Sequence, residues 1–167
     1  MTEVYVLVER KKSAIQKLLT WLVLAVGVIF ALFSLIAPLF LTGAIIILLL
    51  WYFFLLKNSK EYEYSFFDGE LRFARIMNKS RRKKLMEFTM DEVLQIAPAG
   101  DRSIYKYEQD NSVKKLDYTS GNPEVQNTAY QLVRKSENGI MLISFEPDEK
   151  YLDAVCVKFS QKVIRRK

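Results

Sequence analysis

The longest apolar segment runs from Leu18 to Leu56, a stretch of 39 residues without an acidic or basic side chain. Because a helix rises ~1.5 Å per residue, about twenty apolar residues already span the ~30 Å hydrocarbon core of a bilayer. Pro38 and Gly43 interrupt the stretch near its middle, and proline disfavours helical geometry in the residue before it. The pattern therefore predicts two transmembrane helices, at about 18–36 and 39–56, joined by a very short turn.

Basic residues flank this segment on both sides, whereas the predicted turn carries no charge. By the positive-inside rule, we expect a multi-pass protein of the cell membrane with both termini in the cytoplasm. A cleaved signal peptide and a single strongly tilted helix are the alternatives, but the second apolar stretch argues against a signal peptide. The flanking residues are Arg10, Lys11, Lys12 and Lys17 before the segment and Lys57 and Lys60 after it.

The chain thus divides into a basic cytoplasmic tail at 1–17, a transmembrane hairpin at 18–56 and a cytoplasmic domain at 57–167. Within the tail, residues 4–8 are apolar at every position and fit either a short strand or the start of a lengthened helix. The linker at 57–60 spans at most ~14 Å when extended, so it keeps the domain near the membrane.

Residues 61–66 alternate polar and aromatic side chains, a pattern typical of a half-buried strand. Asp68-Gly69 suits the positive φ angles of a tight hairpin turn, and 71–76 is the predicted returning strand. A slip in the alternation at 74–75 indicates a β-bulge. We therefore expect the domain to open with a β-hairpin.

A basic turn over 78–84 leads to a third predicted strand at about 85–89. Residues 90–96 fit either one helical turn or another strand, because their apolar spacing is compatible with both. The remaining features predicted before residue 129 are a stop at Pro98 and Gly100, strands at 104–107 and 113–118, and a loop at 121–123.

The Asn-Gly pair at 138–139 predicts a second hairpin, since it lies between β-rich runs at 129–134 and 140–145. Residues 147–148 then open a predicted helix whose apolar stripe is expected to pack on the sheet. On that stripe, Cys156 is expected to be a small buried hydrophobic residue. The stripe consists of Leu152, Val155, Cys156, Phe159 and Val163.

These elements predict a mainly β domain of about seven strands in meander order, closed by a C-terminal amphipathic helix. A small antiparallel barrel with the helix at one open end would bury the apolar stripe and hide the sheet edges. The segment from Tyr62 to Pro98 resembles the opening of bacterial pleckstrin-homology-like (PH-like) domains attached to membrane helices. The whole chain, including Glu146–Leu152, is similar to small two-span bacterial membrane proteins with such a domain. The resemblance implies a PH-like barrel.

Eukaryotic members of the PH fold bind inositol phosphates through a long basic loop between their first two strands. With Asp68-Gly69 taken as the first hairpin turn, this loop is too short in the present chain. The resemblance therefore does not imply specific phosphoinositide recognition.

The composition excludes much enzyme chemistry. The chain has one cysteine and no histidine, so it has no intramolecular disulfide, no Ser-His-Asp or Cys-His nucleophile system and no cysteine-cluster metal site. It also has no glycine-rich phosphate loop, and we expect no catalytic residues, cofactor or metal.

The net charge of +6 favours an anionic membrane surface over nucleic acid as the partner of a membrane-tethered chain. No charge lies inside the apolar segment, so transport by the hairpin alone is not expected.

A cluster of basic residues around the predicted turn at 78–84 is the candidate site for anionic lipid headgroups or for a protein partner. The alternative is a charged turn that is simply solvated. The same two explanations apply to a C-terminal group of Lys162, Arg165, Arg166 and Lys167. The candidate residues of the main cluster are Arg72, Arg75, Lys79, Arg81, Arg82, Lys83 and Lys84.

The hairpin itself offers one interaction motif. Gly27 and Ala31 have the small-xxx-small spacing that lets two helices approach closely, either within the hairpin or in self-association. The sequence therefore predicts a non-enzymatic, membrane-anchored binding or scaffold module. The alternatives are an accessory subunit of a larger membrane complex, assembled through the hairpin, and an enzyme acting on lipid or envelope precursors.

Overall fold

The computed structural model describes residues 3–56, 59–122, 125, 128–137 and 139–166. The chain folds as two compact units: a helical unit, Lys11–Ser59, and a β-rich unit that combines the N-terminal strand with the chain from Lys60 onward. The parts of the predictions that concern Lys57, Pro123, Asn138 and Lys167 lie outside the described residues.

The first helix of the helical unit, α1, spans Ala14–Phe33. A capping box starts it: Gln16 N donates to Ser13 Oγ at 3.2 Å, and Ser13 N donates to the Gln16 side chain at 3.2 Å. This cap explains why α1 begins four residues earlier than the predicted 18–36. By length and composition, α1 is able to cross a membrane.

The second helix, α2, spans Leu39–Leu50 and continues as a π-helical segment, Trp51–Leu56. Together they cover the predicted 39–56. The apolar helical stretch Leu39–Phe53 is nevertheless shorter than a typical span, so α1 alone among the described helices meets the length expected for crossing a bilayer.

The two helices pack against each other at Gly27, which is buried. A β-carbon at Gly27 would lie 3.0 Å from Leu48 Cδ2, closer than an ordinary van der Waals contact, so glycine allows α2 to approach without a shift of Leu48. Trp51 Nε1 donates a hydrogen bond to the Thr20 carbonyl oxygen at 3.0 Å. Gly27 thus seats α2 against α1 within the hairpin, one of the two roles that its spacing predicted.

The β-rich unit begins with a four-stranded antiparallel sheet in the order β1-β2-β3-β4. The apolar N-terminal stretch is a strand, and its last residue, Arg10, pairs with Lys60. The chain therefore leaves the sheet at Arg10 and returns to the neighbouring strand at Lys60. The strands are β1 (Val4–Arg10), β2 (Lys60–Phe67), β3 (Glu70–Met77) and β4 (Arg81–Thr89).

The predicted turn at Asp68-Gly69 is present, with φ angles of 47° and 92°. It joins β2 to β3, so the interpretation of this pair as the first turn of the domain is wrong. Because β1 precedes the hairpin in sequence, the connection between the first two strands is instead residues 11–59. The predicted bulge is also present: the β3–β4 register shifts between Phe73 and Ala74, which leaves Leu85 of β4 as the extra residue.

The basic segment corrects a second prediction. β4 starts at Arg81, so Arg81 to Lys84 belong to a strand and not to the predicted turn over 78–84. The turn is confined to 78–80, where Asn78 and Lys79 adopt φ angles of 52° and 55°. The charged residues of this segment pair with the end of β3, and this pairing extends β4 through them. Their composition alone is typical of a loop.

The second sheet has the order β5-β7-β8-β6, and β6 runs parallel to β8. The predicted meander is therefore wrong here, and two four-stranded sheets replace the predicted single closed barrel. The strands are β5 (Val93–Pro98), β6 (Lys114–Asp117), β7 (Tyr130–Ser136) and β8 (Gly139–Phe145).

Two short helices lie near the start of this sheet. A 3₁₀ turn, Met90–Glu92, precedes β5, so the segment at 90–96 contains both of the elements that its spacing allowed. The predicted strand at 104–107 is wrong, because helix α3 spans Tyr105–Gln109. Ile104 is fully buried, whereas Tyr105 is 54 % exposed. A single buried residue therefore attaches this segment to the core, without the alternating burial of a strand.

The C-terminal helix α4 spans Glu149–Phe159, and Asp148 caps it by accepting a hydrogen bond from Tyr151 N at 2.8 Å. Its buried face includes Tyr151, which the predicted stripe omitted. Cys156 is only half-buried, which corrects its predicted burial. Val163 lies beyond the helix and forms a parallel bridge with Ile96.

The main core lies between the two sheets and α4. The face of the first sheet that carries the buried Tyr64 and Phe73 is called the inner face below, and the opposite face is called the outer face. Tyr64 packs on Phe145 of the second sheet with ring centroids 5.6 Å apart. Burial of aromatic rings at this density contributes strongly to the stability of a small domain.

Candidate anion-binding site

The alternation of side chains along β3 and β4 divides the predicted basic cluster between two faces. Arg75 lies two residues after Phe73 and therefore on the inner face, whereas Arg72 lies on the outer face. In the β3–β4 ladder, Arg75 pairs with Lys83 and Met77 pairs with Arg81. The inner face receives Arg75, Arg81 and Lys83, the outer face receives Arg72, Arg82 and Lys84, and Lys79 lies in the turn.

The outer-face residues are paired with carboxylates. Arg72 Nη2 lies 2.8 Å from Glu70 Oε2, and Arg72 Nε lies 2.5 Å from Glu87 Oε1. Lys84 also pairs with Glu87. Hydrogen bonds from Lys84 and Arg72 lower the pKa of Glu87. In the same way, Arg82 pairs with Glu63 of β2. The outer face therefore balances much of its own charge.

The inner face also carries two basic residues, Arg10 and Lys60, that the sequence did not assign to the site. The strand pairing aligns Arg10, Lys60, Met77 and Arg81 in one row across the four strands. The adjacent inner-face row consists of Val8, Tyr62, Arg75 and Lys83. Side chains in such rows are about 4.5–5.5 Å apart at their β-carbons. Five cations thus share one end of the inner face, called the basic end: Arg10, Lys60, Arg75, Arg81 and Lys83.

Most of the basic end has no internal counter-charge. Within the described part of the chain, Lys60, Arg75, Arg81 and Lys83 form no ion pair, and Arg10 alone is paired, with Asp117. The Nε atom of Arg75 is buried without a hydrogen-bond acceptor among the described residues. A buried donor without an acceptor is costly, so an anionic oxygen at this point would be stabilised.

Two tyrosines border the basic end. The rings of Tyr62 and Tyr118 have centroids 5.2 Å apart. The guanidinium carbon of Arg10 lies 5.7 Å from the Tyr62 centroid, and Arg10 Nη1 donates to the Tyr62 hydroxyl at 3.0 Å. Burial raises the pKa of Tyr118, and the charge of Arg75 partly offsets that rise. The cations are therefore placed beside rigid aromatic surface.

The C-terminal basic group is engaged in the fold where it is described. Lys162 Nζ donates to the Met90 carbonyl oxygen at 2.6 Å, and Arg165 pairs with Asp153. These contacts hold the end of the chain against the domain. The described residues also contain no group of three His, Cys, Asp or Glu side chains placed to hold a metal ion.

The arrangement is suited to binding an anion. Guanidinium and ammonium groups form short, charge-assisted hydrogen bonds with phosphate and carboxylate oxygens. The sequence did contain a signal for these two residues: Arg10 lies shortly before the apolar segment and Lys60 shortly after it, so both were expected near the membrane. Their pairing across some fifty residues could not be read from periodicity.

Comparison with known proteins identifies the family. The chain matches the model of a family described as "Bacterial PH-like domain (DUF6106)" over residues 2–165. No curated protein and no solved structure matches the chain. The match covers both the β-rich unit and the helical unit inserted after its first strand. The chain therefore belongs to this family of bacterial PH-like domains.

Proposed function

We propose that the protein is a non-enzymatic binding module, anchored in the membrane by two helices, whose basic end binds the phosphate groups of anionic lipids. The single observation that carries the proposal is the set of inner-face cations that lack carboxylate partners in the described chain, with a buried Arg75 Nε among them. Such a set leaves guanidinium and ammonium groups available to the oxygens of an external anion.

The helical unit supports the proposed membrane anchor. α1 has the length and composition of a transmembrane helix, and α2 with its π-helical extension supplies the second, shorter crossing. By the positive-inside rule, the flanking basic residues favour a cytoplasmic location for both ends of the hairpin. Only residues 11–13 separate the basic end from α1, so the chain itself limits how far this end can move from the bilayer.

Lipid headgroups fit the charge and location of the basic end. Each Lys or Arg near an anionic leaflet is worth about 1 kcal/mol, and several cations act together when they share one surface. The outer face offers no comparable surface, because Arg72, Arg82 and Lys84 already have carboxylate partners. Binding is therefore assigned to the inner-face end of the sheet.

The experiment compares two charge-matched double variants of the full chain in zwitterionic bicelles. The probe is dihexanoyl phosphatidic acid, with dihexanoyl phosphatidylcholine as the neutral control. Arg81→Ala/Lys83→Ala removes two inner-face cations, and a loss of about 30-fold in affinity is expected from about 2 kcal/mol. The matched control, Arg72→Ala/Lys84→Ala, removes two outer-face cations and is expected to change affinity by less than about threefold.

Two results would contradict the proposal. One is an absence of phosphatidic acid binding by the wild-type chain. The other is an equal loss of affinity in both double variants, which would mean that net charge and not the inner-face arrangement determines binding. Circular dichroism of each variant establishes that the fold is retained.

A further inference from the structure

Arg10 differs from the other cations of the basic end because it has an internal anion. Its Nη2 atom lies 3.2 Å from Asp117 Oδ2. Its Nη1 atom donates to the Asp117 carbonyl oxygen at 3.3 Å and to the Tyr62 hydroxyl at 3.0 Å. The contact joins the last residue of β1 in the first sheet to the last residue of β6 in the second.

The Asp117 carboxylate is held in a fixed orientation. Its Oδ1 atom accepts hydrogen bonds from Thr119 N at 3.0 Å and from Thr119 Oγ1 at 2.7 Å. This turn occupies one carboxylate oxygen and directs the other toward Arg10. The negative charge therefore sits beside the basic end even though no other cation there is paired with it.

The pair is also accessible. The Arg10 side chain is 36 % exposed and the Asp117 side chain is 53 % exposed. Exposed ion pairs are weak, because water and salt screen them, so an external anion can exchange with Asp117 at Arg10. The same carboxylate repels any anion that approaches the neighbouring cations.

We propose that Asp117 is an internal competitor for the anion site, which occupies Arg10 in the free protein and lowers the affinity of the basic end for phosphate-bearing ligands. The inference rests on the proposed function and adds an affinity-determining residue to it. A ligand gains Arg10 only when one of its phosphate oxygens replaces Asp117 Oδ2.

The main test is Asp117→Asn in the full chain, since an amide removes the charge and keeps an oxygen acceptor for Thr119. Affinity is measured for dihexanoyl phosphatidic acid and, separately, for inorganic phosphate, which distinguishes a lipid headgroup from a free ion. We expect Asp117→Asn to bind at least one probe about five- to tenfold more tightly, the size of one lost charge repulsion near a protein surface. Asp117→Ser is a second variant that removes the carboxylate.

Two controls separate competition from a general change in charge. Glu137→Gln also removes one exposed carboxylate, at the β7–β8 turn of the other sheet, and is expected to change affinity by less than about twofold. Arg10→Gln removes the cation for which Asp117 competes. In the Arg10→Gln background, Asp117→Asn retains only the relief of charge repulsion and is expected to gain clearly less affinity than it gains in the wild-type background.

The outcomes are distinct. The inference is overturned if Asp117→Asn and Asp117→Ser bind no more tightly than Glu137→Gln, or if the gain is as large without Arg10 as it is with Arg10. If these results occur while Arg81→Ala/Lys83→Ala still weakens binding, the proposed function stands and the competitor role fails alone. If the wild-type chain and all variants bind neither probe, both fail.

Discussion

The two faces of strands β3 and β4 carry similar numbers of basic residues, but only the outer-face residues are paired with carboxylates. On the outer face, Arg72 and Lys84 share Glu87, and Arg82 pairs with Glu63. On the inner face, Arg75 and Lys83 lie opposite each other without a carboxylate in the described chain. The difference shows that charge density along a sequence does not locate a binding surface. The strand alternation and the cross-strand neighbours decide which charges remain available.

The largest expected contrast is in stability. Phe73 is 1 % exposed and stacks on Phe88, so Phe73→Ala should lower the free energy of unfolding by about 3–5 kcal/mol. Arg72→Ala, one residue away on the outer face, should barely shift the urea midpoint because its ion pairs are exposed. Urea unfolding of the full chain in micelles measures both. Similar midpoints for the two variants would contradict the assignment of faces.

Alkaline pH should also act through the inner face. Burial raises the pKa of Tyr64, so the folded state keeps this proton while the unfolded state loses it near pH 10. The contribution of Tyr64 to stability is therefore full below pH 10 and falls as the pH rises, by up to about 1.4 kcal/mol per pH unit. Urea unfolding at pH 9 and pH 11 checks this. Tyr64→Phe should lose less stability than wild type between these values, and an equal loss would refute the prediction.

A carboxylate introduced on β3 should weaken the binding of phosphatidic acid on the inner face more than on the outer face. Met77 and Ile76 are adjacent and half-buried, but Met77 lies in the row of Lys60 and Arg81 while Ile76 lies on the outer face. Met77→Glu should therefore lower the affinity for phosphatidic acid about tenfold through a local ion pair and repulsion. Ile76→Glu should change it by less than about threefold. A larger loss in Ile76→Glu would reverse the proposed location of the site.

The smallest effect concerns acid stability on the outer face. Hydrogen bonds from Lys84 and Arg72 lower the pKa of Glu87 in the folded state. Its stabilising contribution is therefore present above the unfolded pKa of about 4.3 and is lost as the pH falls through the folded value. The urea midpoint of wild type should fall more between pH 6 and pH 3 than that of Glu87→Gln. Identical pH profiles would show that these ion pairs contribute nothing.

Local signals in the sequence were sufficient for several elements. Asp68-Gly69 predicted a turn that needs positive φ angles, and the slip at 74–75 predicted the bulge, because both depend on neighbouring residues only. The C-terminal helix was predicted from its cap and apolar stripe for the same reason. The resemblance to bacterial PH-like domains was confirmed by the match to that family.

The features that the sequence did not reveal depend on distant partners. The pairing of β1 with β2 joins segments separated by the whole helical unit, so Arg10 and Lys60 appeared to be only membrane-flanking charges. The parallel pairing of β6 with β8 and the placement of Asp117 beside Arg10 are equally non-local. The extension of β4 through Arg81–Lys84 was missed because its pairing with β3 outweighs a composition typical of loops.

The proposed function requires the inner-face end of the first sheet to contact anionic headgroups. The most direct measurement uses the full chain in nanodiscs, with Cys156→Ala and a single bimane-labelled cysteine at either Met77→Cys or Ile76→Cys. Lipids with a nitroxide on the headgroup should quench the label at position 77 more than the label at position 76, and only when the disc contains phosphatidic acid. Equal quenching at both positions, or stronger quenching at position 76, would contradict a headgroup contact at the inner face.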